Sequence, residues 1–397
     1  MRHLHAPVWM HALNRPTTPT FVALYTLEHL ARATLITVIP LIAYDHLQDA
    51  KLVSVLYVAI GLVGLIASAA VPWLVSHITR RGVLRLGTLS LIISMALFSW
   101  GTMPAFIAAM AFQLFAGACV EIGISLFMMD HVPRQELGTF EPVRMFYSGL
   151  AWTIGPFLGV ILKNEVAPWA PFAMTGIIGT VFITYFWYLQ LSENSAVSTK
   201  HKPVTNPLLY CKRFFSQPRL TISWILAIGR SGWWGMFFVY MPIYVINVGL
   251  SENVAGAASS LATLFTMCVP LMIPINRRYG ARMTLMVSYT LCGIATIAAA
   301  FLFGTPWLGI AGLVTAALFA MPIDSVGNIA FLRAVHPYER AEMTTVFTTY
   351  RYAQQLTLPA VFAGLLVVFK LPAVFVASGS FMIVLGGLSR YIPRRLK

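Results

Sequence analysis

Glu28, His29 and Arg32 stand inside an apolar run that extends from Thr20 to about Tyr44. A side chain charged at the middle of a bilayer costs roughly 3 kcal/mol on insertion scales, so such residues face a bundle interior or a wet cavity. Glu28 and Arg32 are four residues apart, which on a helix gives one face with the acid N-terminal, the favourable order for an ion pair, and sets Tyr25 and His29 beside them. Two readings stay open: a self-neutralising pair that holds a bundle together, and a pair on a transport pathway.

Other apolar runs repeat the pattern. Gln113, Gly117, Glu121 and Ser125 recur at spacings of four, as do Asp324 and Asn328. A polar stripe at helical period marks one side of a helix, and in lipid the inward side is the cheap place for it. Burial favours a carboxylate's protonated form and a nearby cation its ionised form, so a carboxylate whose surroundings alternate can carry a proton. Glu121, Asp324 and Glu28 are therefore the proton-coupling candidates, Glu121 first because Glu28 already has Arg32 in reach. Static pairing of Glu121 and Asp324 with Arg230 and Arg32 is the alternative.

Arg230 is followed by Trp233, Trp234 and Phe237, a cation and aromatics on one side of a helix. A guanidinium keeps its proton and grips carboxylate or phosphate in two-pronged fashion, and aromatic faces take an apolar body. With Arg32, this favours an organic anion or a zwitterion with an anionic end. The expected substrate-binding set is Arg230, Arg32, Tyr25, His29, Gln113, Trp233, Trp234, Asn328 and Gln354. Plain packing of the aromatics, with Arg230 neutralised by Glu28, stays open beside it. Gln355 and Arg351 are secondary candidates, and Asp130, His131 and Arg144 fall in a gap that suits either gating or a solvated loop. Cys268, Met272, Met236, Met241 and His29 offer soft ligands suited to cuprous copper, so a copper or iron transporter is the alternative function. They form no tight cluster, and no resident metal or other cofactor is expected.

The elements that carry these residues are membrane helices. Of 397 residues, 58% are hydrophobic and 10% charged, with a mean hydropathy of +0.76. That composition excludes an ordinary soluble domain. Runs long enough to span lie at approximately 20–44, 52–75, 83–101, 105–129, 143–163 and 170–191, then 220–247, 254–275, 283–303, 307–331, 344–369 and 373–391. Twelve spans are expected, an all-α membrane fold of two six-helix bundles (20–191 and 220–391) joined by a linker, 192–219, with tails at 1–19 and 392–397. The net charge of +14 lies mostly in the short gaps, where it sets orientation and does not call for nucleic acid. With the N-terminus inside, the inner gaps hold Arg80, Arg81, Arg134, the 200–219 cluster, Arg277, Arg278, Arg340 and the terminal basic residues; the outer gaps hold only Lys51, Lys163 and Lys370. Both termini are placed in the cytoplasm of a bacterial inner membrane, and a monomer in the lipid bilayer is expected. The polar first nineteen residues carry no apolar core before a cleavage site and read as a tail. Four cysteines without paired spacing suggest no disulfide framework. No catalytic motif or phosphate loop is present, which argues against an enzyme or an ATP-driven pump.

The halves align at an offset of 202 to 204 residues. Pro40 falls on Pro242, Pro72 on Pro274, Arg80 on Arg282, Pro104 on Pro306 and Pro133 on Pro337. The same offsets bring Glu28 onto Arg230 and Glu121 onto Asp324, charges at equivalent depth that in a two-bundle transporter face one another near the midplane.

On these residues the sequence resembles the major facilitator superfamily over essentially its whole length. Pro72 to Arg81 resembles the family's loop motif of glycine, aspartate, glycine and paired bases, with Pro72, Ser76 and Thr79 in place of the first glycine, the acid and the second glycine. Asn276 to Arg282 is a second copy that keeps Gly280 and the bases. The resemblance implies that Arg80, Arg81, Arg278 and Arg282 take part in gating. Gly155-Pro156-Phe157-Leu158-Gly159 resembles the tail of the glycine-proline motif of the family's antiporters, which implies a gating role for Gly155 and Pro156 and leans toward export. The implied function is secondary active transport of a small organic solute, coupled to protons; a membrane sensor built on a transporter scaffold is the alternative of a different class.

Overall fold

The computed structural model describes residues 18–131, 137–188, 207–335 and 340–392. The N-terminal tail, most of the linker, Arg134, Pro133 and Pro337 lie outside the described residues, as do the side chains of Arg80, Asp130, His131 and Arg277. Among the described residues all regular structure is helical. In a bilayer a helix satisfies its own backbone groups, so long apolar runs without an internal breaker have no cheaper alternative.

The helices are α1 (Thr18–Ile36), α2 (Val38–Leu47), α3 (Ala50–Ser99), α4 (Met103–His131), α5 (Leu137–Ile161), α6 (Ala170–Tyr188), α7 (Pro207–Phe215), α8 (Pro218–Asn247), α9 (Glu252–Leu264), α10 (Met272–Phe301), α11 (Pro306–Val326), α12 (Ile329–Ala334), α13 (Arg340–Thr348), α14 (Tyr350–Val368) and α15 (Pro372–Leu388). Breaks have visible causes. Pro40 lacks the N–H that would meet the Ile36 carbonyl and its ring crowds that group, and the first span divides there into α1 and α2. Pro104 and Pro306 stand in the first turns of α4 and α11, where a missing N–H costs nothing. Gly280, at φ 80° and ψ 153°, separates two helical pieces within α10 and falls in the expected gap between spans eight and nine.

Nine described helical stretches are long and apolar enough to cross a membrane. Two of them, Ala50–Ala67 and Arg81–Ser99, belong to α3, which runs helical through residues 76–82 where a loop was expected. Thr79 stands where the resembling motif has its second glycine, and the helix continues through it and past Pro72, which supplies no N–H of its own. The remaining expected spans fall on described helices of another kind. In α8, Arg230, two tryptophans and several glycines lower the hydropathy; α9 passes into a 3₁₀ segment, Phe265–Leu271, and the eleventh run is divided between α13 and α14.

Packing divides the chain into two compact units, Met1–Leu35 with Val63–Lys200, and Ile36–Leu62 with His201–Lys397. In the first, Phe21, Leu24, Tyr25, Leu84, Ile124, Phe127, Phe140 and Phe186 form a buried core. Gly155 of α5 lies against α1 so closely that a Cβ would sit 2.8 Å from the Ala33 carbonyl carbon and 2.9 Å from the Thr34 nitrogen. In the second, Gly293 of α10 and Gly379 of α15 face each other, each lying where a Cβ would meet the other's carbonyl oxygen, at 2.5 and 2.6 Å. Small residues allow this approach between membrane helices. Segment 36–62 joins the second unit through a buried hydrogen bond of 2.7 Å between Ser54 Oγ and the Tyr240 hydroxyl, and through Tyr44, whose hydroxyl donates to Asn247 Oδ1. All four cysteines are free.

Gly155 and Gly117 give a matched stability test. Gly155→Ala must separate α5 from α1 and is expected to destabilise by about 1–3 kcal/mol. Gly117→Ala meets nothing within 4 Å and is expected to be neutral or to gain up to about 1 kcal/mol from helix propensity. Thermal unfolding of the two variants in detergent reads the difference.

Candidate functional site

The first unit gathers its charges around Arg32. One atom, Arg32 Nη1, donates to Glu28 Oε1 at 3.0 Å and lies 3.6 Å from Glu121 Oε2 of α4. The three differ in access: the Glu28 side chain is 7% exposed, Glu121 38% and Arg32 45%. Glu28 is thus the closer and more covered partner of the arginine and Glu121 the more exposed one. Gly117, one turn before Glu121, would present a Cβ to open space, and Gln113 is half-buried one turn further on. The stripe read from α4 therefore borders unfilled volume along at least part of its length.

Aromatic groups close the other side. The Tyr25 hydroxyl shares a 3.1 Å hydrogen bond with Ser125 Oγ, and the Arg144 guanidinium carbon stands 5.0 Å from the centre of the Tyr25 ring. Trp152 Nε1 donates to His29 Nδ1 at 3.3 Å, and that same nitrogen is 3.4 Å from Glu28 Oε2. Arg144, assigned from sequence to a gap, belongs to α5 and contributes to this group; Trp152 was missed. Both were marked by a readable signal, because Arg144, Ser148 and Trp152 repeat the spacing of four that singled out α4.

The second unit builds a counterpart around Arg230 of α8. Its Nε lies 3.8 Å from Asp324 Oδ1 of α11, and its Nη2 donates to Asn328 Oδ1 at 3.0 Å and to the Tyr350 hydroxyl at 3.5 Å. Trp234 Nε1 donates to the other Asp324 oxygen at 2.9 Å. The Arg230 side chain is only 15% exposed. Gly327, at φ 52° and ψ −124°, ends α11 between Asp324 and Asn328, and a Cβ there would approach the Asp324 carbonyl and the Arg230 guanidinium at 3.3 and 3.7 Å. That backbone shape favours glycine, and it turns the chain so that both side chains reach one cation.

Several expectations change. Within each unit an arginine stands against a carboxylate, Arg32 near Glu121 and Arg230 near Asp324. The aromatics of α8 divide: Trp234 meets Asp324, whereas Trp233 and Phe237 are 1% and 0% exposed and pack inside, with Trp233 Nε1 donating to Thr296 Oγ1 at 2.9 Å. Gln354 accepts from Ser231 Oγ at 3.4 Å and touches α8. Arg351 Nε donates to the Tyr350 hydroxyl at 3.5 Å. Of the gating set, Arg81 and Arg282 are half-buried, Arg278 is exposed over Tyr279, and Gly155 and Pro156 are buried in α5. The soft-ligand residues do not gather in one unit: His29 belongs to the first, and Met236 and Met241 are buried in the second with Cys268 on the 3₁₀ segment. Among the described residues no three His, Cys, Asp or Glu side chains converge on a point suited to a metal.

The fold has known counterparts. The chain is similar to a crystal structure of the nucleoside transporter NupG, in a mutant form, with a TM-score of 0.74 and 15% identity, covering 94% of this chain and 99% of that one. It is similar to a D-xylose-proton symporter at a TM-score of 0.76 and 14% identity, covering 96% and 99%. A POT family transporter in complex with 5-aminolevulinic acid matches at a TM-score of 0.71 and 13% identity, covering 92% and 94%. Among curated proteins no sequence relative is found. The sequence profile of the Major Facilitator Superfamily matches residues 21–359, and this multi-pass membrane chain belongs to that superfamily of transporters.

Proposed function

We propose that this protein is a proton-coupled secondary transporter of a small organic anion, or of a zwitterion through its anionic end, working by alternating access. The observation that carries the reading is Arg32, a guanidinium 45% exposed within an apolar helix and shared between two carboxylates of unequal access. A guanidinium offers more donors than one carboxylate can fill, and its planar fork suits an incoming carboxylate or phosphate. Tyr25 and Trp152 supply aromatic surface beside it. Arg230, by contrast, is mostly covered and has Asp324, Asn328 and Tyr350 on its donors, so it serves best as a fixed charge that holds α8, α11 and α14.

The coupling follows from competition. A substrate anion and the Glu121 carboxylate seek the same guanidinium, so a proton on Glu121 releases Arg32 to the substrate. Proton and anion then bind together, which makes the cycle a symport. Gly155 of the glycine-proline pair that leans toward export packs on Ala33 and Thr34, which supports a packing role for it as well. Among the structural neighbours, one is a symporter of D-xylose and protons, and one holds 5-aminolevulinic acid, which carries both an amine and a carboxylate. We further place the chain in a bacterial inner membrane with both termini cytoplasmic, on the distribution of basic residues among the gaps. The repeat supports two six-helix bundles, 20–191 and 220–391.

Proteoliposomes with an internal pH dye test the coupling. External organic anions are expected to acidify the lumen, and Glu121→Gln, which imitates the protonated acid, is expected to bind the anion yet lose at least half of the proton signal. Full proton movement in Glu121→Gln would overturn the assignment. Arg32→Lys keeps the charge but loses the fork, and is expected to weaken anion binding about tenfold or more, since one charge-assisted hydrogen bond contributes about 1.5–3 kcal/mol. Unchanged affinity in a protein that inserts normally would remove Arg32 from the binding site.

A further inference from the structure

His29 Nδ1 is approached by two groups that no single protonation state can satisfy. Trp152 Nε1 bears a hydrogen and can only donate, so its 3.3 Å contact requires an unprotonated Nδ1. Glu28 Oε2, 3.4 Å from the same nitrogen, can only accept when ionised, so a bond there requires a proton on Nδ1. The two contacts belong to two states of the imidazole, both within reach of one ring position.

We propose that His29 binds a second coupled proton and, by exchanging Trp152 for Glu28, frees Arg32 from its other carboxylate. In the neutral state Nδ1 accepts from the indole and Glu28 is held by Arg32. When a proton from solution adds to Nδ1, the ring becomes a cation that donates to Glu28 Oε2, and the long indole contact is given up for a charge-assisted bond. Glu28 then has a cation of its own, and the shared guanidinium turns to an incoming anion. No covalent bond other than N–H is made, and the proton returns to solution when Arg32 recovers Glu28 on the far side of the cycle. The charged and titratable groups around the ring are Glu28 and Arg32 on its own helix, Glu121 from α4 and Arg144 from α5, with Tyr25 stacked at 6.4 Å between ring centres. Of these, the Glu28 carboxylate stands 3.4 Å from Nδ1 and is the anion that holds the ring once it is protonated.

The inference rests on the reading of Arg32 as the anion's partner, and it assigns His29 a role separate from that of Glu121. Protons moved per substrate are measured in proteoliposomes for the unaltered protein, His29→Gln and Glu121→Gln. The expected result is that His29→Gln halves the ratio and leaves the Glu121 proton in place. An unchanged ratio in His29→Gln together with a reduced one in Glu121→Gln overturns the role of His29 and leaves the Glu121 reading standing. A halved ratio in His29→Gln with an unchanged one in Glu121→Gln supports His29 and overturns the reading of Glu121. A second readout covers a variant that fails to insert: the nitrogen resonances of ¹⁵N-histidine in the full-length protein, with the His29 signal identified by the change that Trp152→Phe causes. At alkaline pH His29 is expected as the tautomer protonated on Nε2, becoming doubly protonated when anion is added within the range where imidazoles titrate, about pH 5 to 8. A neutral His29 with anion bound throughout that range overturns the proposal.

Discussion

One guanidinium shared by two carboxylates inside an apolar bundle is the constraint from which the first unit follows. Arg32 cannot leave its charge uncompensated within an apolar bundle. The compensation comes from α1 itself through Glu28 and from α4 through Glu121, so α4 must approach α1 at that depth. α5 is brought to the same place by other means. Gly155 meets Ala33 and Thr34, the residues that directly follow Arg32, and this approach lets Trp152 and Arg144 reach His29 and Tyr25. Tight helix contact and ion pairing therefore reinforce each other, and neither would place the side chains without the other.

The two halves answer the same problem differently. Both put an arginine of their first long helix against a carboxylate of their fourth, Arg32 with Glu121 and Arg230 with Asp324. The repeat, however, aligns Arg230 with Glu28, so the two arginines stand one helical turn apart in equivalent frames. The consequence shows in access. Arg32, three times as exposed as Arg230, keeps a carboxylate that solvent can reach, while Arg230 is enclosed by Asn328, Tyr350 and the Gly327 turn. One half leaves its arginine accessible and the other covers it.

Much of this was legible in the sequence because the membrane simplifies the reading. Apolar length marks the spans, the intramembrane charges Glu28, Arg32, Glu121, Arg230 and Asp324 single themselves out, and spacing by four puts Glu28 with Arg32. What sequence spacing could not supply was choice among partners. The i, i+3 and i+4 positions after Arg230 lie towards one face, yet neighbouring residues are about 100° apart around a helix, and Trp233 turns to Thr296 while Trp234 turns to Asp324. Pairing within units was equally hidden, since charge equivalence in a repeat says which depths match and nothing about which side chains touch. Pro40 and Pro242 make the same point about breaks: the aligned prolines divide the first span but leave α8 continuous.

Under the proposed coupling, sharing also sets how tightly proton and substrate are linked. If releasing Arg32 from one carboxylate returns a charge-assisted hydrogen bond of about 1.5–3 kcal/mol, the affinity of an anion changes by roughly 10- to 150-fold between the protonated and ionised states. A single such exchange leaves a noticeable fraction of cycles uncoupled. Two carboxylates on one guanidinium alter the arithmetic, because an anion then meets a fully available fork only when both are otherwise satisfied, and the two contributions multiply where they act independently. Glu28 is too covered to be satisfied by water, at 7% exposed, so any release of Arg32 from it requires a proton on Glu28 itself or a second cation within reach. Under the coupling proposed above, His29, 3.4 Å from Glu28, is that cation, and the order of charges along α1 then serves coupling as well as insertion.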